Sequence, residues 1–194
     1  MRRKFLAARD DLVDKVSEIA RSKNVTLFGM INDTLEQLVK AEELGDNLST
    51  ILEEHITIKM AKDAGFTVVP DSLWNYLLER TFDKDKVTLG EIWRSTGEWF
   101  GRFCQVRAAT DNSVYAVEKI MDALLWNVSE VSVQPTEDGL IVKCVGSRLQ
   151  YAQTALLSDF IVGMVSSFDY QLRRKNVARG IISLEFIKEG ERPA

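Results

Sequence analysis

The sequence predicts an α+β chain made of two units. Two amphipathic helical patterns occupy residues 10–43, behind a short basic stretch. Asp138-Gly139 lies between two valine-rich runs, which signals a β-hairpin. Gly180-Ile181-Ile182-Ser183-Leu184-Glu185-Phe186-Ile187 then reads as a closing strand. Helices packed on an antiparallel sheet follow from that order. The 194 residues accommodate a small unit over 1–45, a connector helix over 46–64 and a larger α+β domain over 65–190.

Composition narrows the function classes. Net charge is −4, so the whole chain is no generic polyanion binder, and nucleic-acid contact needs a local basic patch. No apolar run approaches the roughly 20 residues of a membrane span, and no secretory signal is seen, so no membrane partner is expected. Cys104 and Cys144 lie far apart, which disfavours a disulfide framework and suits a cytoplasmic protein. His55 is the single histidine, which argues against zinc catalysis and histidine triads. No nucleophile–base pair, phosphate loop or paired carboxylate stands out. The expectation is therefore no enzyme, no metal and no cofactor.

Residues 1–9 carry Arg2, Arg3, Lys4 and Arg9 and no acid, and Phe5, Leu6, Ala7 and Ala8 suit a short strand. Asp10 and Asp11 sit where an N-cap and first turn belong. Leu12, Val16, Ile19 and Ala20 form one helix face. Ser22-Lys23-Asn24 ends that helix, and Thr26 caps the next. Its stripe is Leu27, Met30, Ile31, Thr34, Leu35 and Leu38, and Gly45 ends it. So short a stretch cannot build its own core. A lone strand also seeks a partner, so a twofold mate that swaps strands answers both needs.

This strand–helix–turn–helix order, with Leu12/Val16/Ile19 and with Asn24-Val25-Thr26 leading into Met30-Ile31, resembles the ribbon-helix-helix (CopG/Arc-type) family over about 42 residues. The resemblance implies a dimer whose paired strands enter the major groove of duplex DNA, while the start of the second helix holds a phosphate. Carried over residue by residue, it implies DNA contact by Arg2, Arg3, Lys4, Phe5, Arg9, Lys23, Asn24 and Thr26. One strand register points Arg3, Phe5 and Ala7 at the groove; the other points Arg2, Lys4 and Leu6. In either register base reading is thin, and phosphate contacts dominate.

The connector carries Ile51, Leu52, His55, Ile56, Ile58 and Met60 to Ala64-Gly65, with His55 read as structural. Phe66-Thr67-Val68-Val69 is expected as a strand closed by Pro70. Asp71 or Ser72 caps a helix with Trp74, Leu77 and Leu78. Thr88 opens a long helix through Trp93, Trp99, Phe100 and Phe103, and Asp111 begins another. After the hairpin a long helix is expected from about Leu149 to Arg174, with Arg173, Arg174 and Lys175 at its C-terminal end.

Gly97-Glu98-Trp99-Phe100-Gly101, Val142-Lys143-Cys144-Val145, Phe160-Ile161-Val162-Gly163 and Arg179-Gly180-Ile181-Ile182 together resemble the 4-vinyl-reductase-like domain. That group is related to transport-particle subunits and to haem nitric-oxide-binding domains. The resemblance implies a helix-lined apolar cavity for a small or lipid-like ligand. No matching axial histidine is present, so haem is not implied. The candidate pocket residues are Trp93, Gly97, Phe100, Gly101, Cys144 and Phe160. Each has a plainer reading: glycines for close helix packing, aromatics and cysteine as core. The combined expectation is a homodimeric DNA-binding transcriptional regulator with a domain that senses a small apolar ligand or mediates assembly. The alternative is an adaptor whose arm only dimerises and whose second domain binds a protein.

Overall fold

The computed structural model describes residues 7–108, 117–118, 120–121, 124–125 and 128–188. It is α+β, as the sequence predicts. Helices α1 (Asp10–Ser22), α2 (Leu27–Glu43), α3 (Leu48–Asp63), α4 (Asp71–Thr81) and α5 (Lys86–Ala108) precede strands β1 (Glu130–Pro135) and β2 (Gly139–Val145). Helix α6 (Tyr151–Ser166) and strands β3 (Tyr170–Ala178) and β4 (Ile181–Lys188) complete the chain. Two compact units divide it, Met1–His55 and Ile56–Ala194, with the division point inside α3.

In the first unit, α1 and α2 form at the expected places with one change at the cap. Arg9, not Asp10, occupies the N-cap of α1, in an extended conformation and without a side-chain cap bond. Asp10 and Asp11 instead fill the first turn, where acids favour the helix dipole. Ala7–Arg9 are in no strand among the described residues, and the rest of the expected strand lies outside them. Thr26 caps α2 as expected, its Oγ1 accepting from the Gly29 N–H at 3.0 Å. Thr26→Ala should therefore lower the thermal stability of the helical arm by about 1 kcal/mol, measured by far-UV circular dichroism.

The first three helices end in one way. The residue after each C-cap has positive φ: Asn24 at 58°, Gly45 at 89° and Gly65 at 84°. The following N–H reaches back five residues, from Val25 to Ala20 O (3.0 Å), Asp46 to Ala41 O (3.3 Å) and Phe66 to Ala61 O (3.0 Å). These are Schellman closures, which absorb carbonyls a helix end would otherwise leave bare. Ala20, Ala41 and Ala61, the acceptors, are all buried.

In the second unit an antiparallel sheet of order β1-β2-β4-β3 carries the core. The pairs Leu140↔Phe186, Val142↔Leu184 and Cys144↔Ile182 put every second residue of β2 and β4 on one buried face. The hairpin stands where Asp138-Gly139 signals it, closed by the Thr136 N–H to Gly139 O at 2.9 Å. Val117, Ile120 and Met121 are helical and join the same core. Asp111, the expected start of that helix, lies outside the described residues.

Two expectations are corrected here. Phe66–Val69 form no strand. Phe66 is the residue that closes the α3 cap, and its ring meets that of Phe100 at a tilt of 55°, with centroids 4.9 Å apart. The helix expected to run to Arg174 ends at Ser166, where Asp169 takes φ 65° and the chain turns back as β3. Arg173, Arg174 and Lys175 therefore lie on a strand. Arg173 Nη1 bridges Asp138 (3.3 Å) and Glu185 (3.5 Å), and Lys175 pairs with Asp159 on α6. There is also a shift of helix starts: α4 begins after Pro70, and α5 begins at Lys86 rather than Thr88.

Helices α5 and α6 make the most extensive interface between elements. They meet through glycine. A Cβ on Gly97 would stand 2.0 Å from the Phe160 carbonyl oxygen, and one on Gly163 would stand 1.9 Å from that of Arg94. Thr154, fully buried on α6, donates to Gln150 O (2.8 Å) and accepts from Gly180 N–H (3.0 Å). That single hydroxyl joins the start of α6 to the turn between β3 and β4.

Candidate functional site

Of the residues expected at DNA, Arg2, Arg3, Lys4 and Phe5 lie outside the described residues. Arg9, Lys23, Asn24 and Thr26 are all exposed. Arg9 is already engaged: its Nε and Nη2 donate to Asp11 at 2.9 and 2.6 Å. This two-point pairing raises the guanidinium pKa and lowers that of the carboxyl. Lys23 is the C-cap of α1, Asn24 makes the αL turn and Thr26 opens α2. The α1–α2 corner thus carries one cation beside the first turn of α2, whose backbone N–H groups and dipole favour an anion.

The same unit leaves its apolar stripes uncovered. Leu12, Ile19, Phe28, Ile31, Leu35, Leu38 and Val39 are all exposed, Phe28 by 60%. Among the described apolar residues of the first unit, only Ala20 and Ala41 are buried. The arc on α2 is wider than one neighbour can cover. Leu27, Met30, Leu38 and Ala41 share one side of it, and Phe28, Ile31, Leu35 and Val39 extend it around the helix.

The pocket residues named from the sequence all belong to one packed region. Phe100 and Phe160 lie 6.1 Å apart by ring centroids, Trp93 lies 6.3 Å from Phe160, and Trp74 continues the series at 5.8 Å from Trp93. Cys144 faces the core from β2. Burial pushes the Cys104 and Cys144 thiols up to about 12, so both stay protonated at neutral pH. The free side of Gly97 is filled by the α6 backbone, and that of Gly101 by Ser167 Oγ and Met164 O. These six residues therefore line a helix crossing and a core.

An open groove of about 490 Å³ lies on another face of α5. Ala64, Gly65 and Phe66 form one wall, and Ser95, Thr96 and Trp99 form the other. Of the six, Trp99 alone is one that the sequence offers as a pocket wall, with core aromatic as its plainer reading. Phe66 was missed because its apolar run reads as a strand. Ser95, Thr96 and Trp99 do carry a signal, since their spacing places them on one helix face. Among the described residues no group of three or more His, Cys, Asp or Glu side chains could hold a metal. Among them, too, no helix is long and apolar enough to cross a membrane.

No known family matches this chain, and no curated protein does. Two solved structures are similar in part. A doubly substituted H-NOX shares 11% identity, covers 71% of this chain and 86% of its own, and gives a TM-score of 0.39. A structure from a study of H-NOX activation shares 12% identity, with 69% and 84% covered and a TM-score of 0.38. Likeness at this level assigns this chain neither a ligand nor a chemistry.

Proposed function

We propose that this chain is a homodimeric DNA-binding regulator whose second unit binds a small molecule. The observation that carries the reading is the uncovered apolar surface of α1 and α2. Exposing that many large side chains in a unit with two buried alanines leaves it without a core of its own. A second copy supplies the missing cover and brings two basic arms side by side.

Charge confines the DNA contact to that arm. Residues 1–9 hold four bases and no acid, whereas residues 10–55 hold eleven acids and four bases. A duplex approaching the helices would meet net repulsion, and one approaching the arm would not. Because Arg9 is held by Asp11, the variable contacts fall to Arg2, Arg3 and Lys4.

The adaptor alternative keeps the dimer and drops the DNA, and the acidic helices behind the arm favour it. One preparation separates the two readings. Sedimentation velocity should show a dimer, and Leu35→Glu should make it a monomer. A salt series with duplex DNA should show steep dependence. Replacing Arg2, Arg3 and Lys4 by Ala should flatten the log–log slope by about 5, at 0.9 per phosphate for six side chains in the dimer. A dimer with no duplex affinity at low salt makes the chain an adaptor. A monomeric wild-type chain removes the basis for both.

A further inference from the structure

We infer that the groove beside Trp99 binds an organic cation, an ammonium group on a compact apolar body. This rests on reading the second unit as a small-molecule binder, and it names the class of molecule.

The groove offers acceptors and almost no donors. Among the described residues its lining has no charged side chain. On one wall three consecutive backbone N–H groups are already used: Ala64 to Met60 O (2.9 Å), Gly65 to Lys62 O (3.0 Å) and Phe66 to Ala61 O (3.0 Å). This wall is also the C-terminal end of α3, the negative end of its dipole. On the other wall Ser95 and Thr96 both donate their hydroxyls to Ile92 O, at 3.0 and 2.7 Å. Each hydroxyl oxygen then faces a ligand as an acceptor.

Trp99 completes the pattern. Its ring is half-exposed and stacked on Phe103, with centroids 5.5 Å apart and planes 25° apart. Phe103 covers one side of the indole, and Trp99 also lines the groove. An indole is the strongest aromatic partner for a cation. Apart from its N–H, the polar groups left free on the described lining are acceptors, which bear negative partial charge. An anion would find no positive partner there, and a neutral hydrocarbon would leave the acceptors unused. The volume falls within the range of ligand sites, roughly 300–1,000 Å³. The open mouth keeps the head group wet and the affinity modest.

The test titrates the full chain with choline and, separately, with its uncharged carbon isostere, a neohexyl alcohol. Two-dimensional amide NMR and tryptophan fluorescence report occupancy. Choline should bind about two- to fivefold tighter than the alcohol, as for a cation on a solvated aromatic face. Trp99→Leu should abolish that preference, and Trp99→Phe should keep part of it. Shifts should centre on Ala64–Phe66 and Ser95–Trp99. Equal binding, or tighter binding of the alcohol, overturns the cation assignment and leaves a small-molecule site standing. Shifts elsewhere, or a preference that survives Trp99→Leu, overturn the site. No binding of either probe overturns this proposal, while the reading of the arm is tested separately by its salt series.

Discussion

Gly163→Ala should lower the stability of the second unit by about 2–3 kcal/mol, toward the upper end of what overpacking costs. The sign is what makes the experiment informative. In an exposed helix the same change is favourable by roughly 0.5–1 kcal/mol, because alanine restricts the unfolded chain and suits the helix better. At Gly163 the new methyl would lie 1.9 Å from the Arg94 carbonyl oxygen and 2.9 Å from the Glu98 backbone nitrogen. Both are main-chain atoms of α5, so no rotamer change relieves the clash and the helices must separate. Gly97→Ala should act alike from the other side, and the double variant should cost less than the sum, since one displacement serves both. Gly90→Ala, on the same helix, is the control. Its methyl would meet only the Asp159 carboxylate, at 3.1 Å, and a side-chain end can move. Its effect should stay within about 1 kcal/mol of zero. All four tryptophans, at 74, 93, 99 and 126, lie in the second unit, so urea unfolding followed by their fluorescence reports that unit alone. Unchanged stability in Gly163→Ala would mean the helices do not cross this closely.

Alkaline pH should destabilise the second unit through its two thiols. Cys104 and Cys144 keep their protons in the folded core up to about 12, because burial penalises thiolate, against an ordinary value of 9.0. A pKa raised by folding gives stability that is complete below 9.0 and is lost as pH rises toward about 12. The upper bound is about 4 kcal/mol per thiol. Local relaxation and water entry reduce this to nearer about 2 kcal/mol each. Cys104→Ala with Cys144→Ala should flatten stability against pH above 9, even though it lowers stability at pH 7 by leaving small voids. A double variant with the wild-type alkaline slope would assign the loss to other groups. Thiol reagents at pH 7.5 should label neither cysteine until the unit opens.

What the sequence disclosed followed how locally each feature is determined. The hairpin was legible because a turn dipeptide between valine-rich runs needs only neighbours, and the closing strand because its buried and exposed residues alternate. Thr26 was legible as a cap for the same reason. The end of α6 was not. Ser166-Ser167-Phe168-Asp169 contains no glycine or proline, and Phe168 and Tyr170 continue an apolar series. The break depends on Asp169 adopting a left-handed conformation, which a glycine would have advertised. Phe66 was misassigned because an apolar run before Pro70 looks like a strand, whereas a distant ring, Phe100, decides where it goes. Gly97 and Gly101 were visible as a pair one turn apart. That their free side is filled by α6 is a fact of tertiary packing, beyond reach of spacing. The groove by Trp99 joins two segments about 30 residues apart, which no window along the chain would unite.

The three matching helix closures also bear on how quickly the helical corners form. Each corner is specified within six residues, by hydrogen bonds from Val25 to Ala20, Asp46 to Ala41 and Phe66 to Ala61. Contacts so near in sequence cost little loop entropy and form early. The α1–α2 corner is therefore set within a single chain. In the proposed dimer, assembly would be the docking of two prepared helical corners, at a rate that should rise with protein concentration without a lag for helix formation.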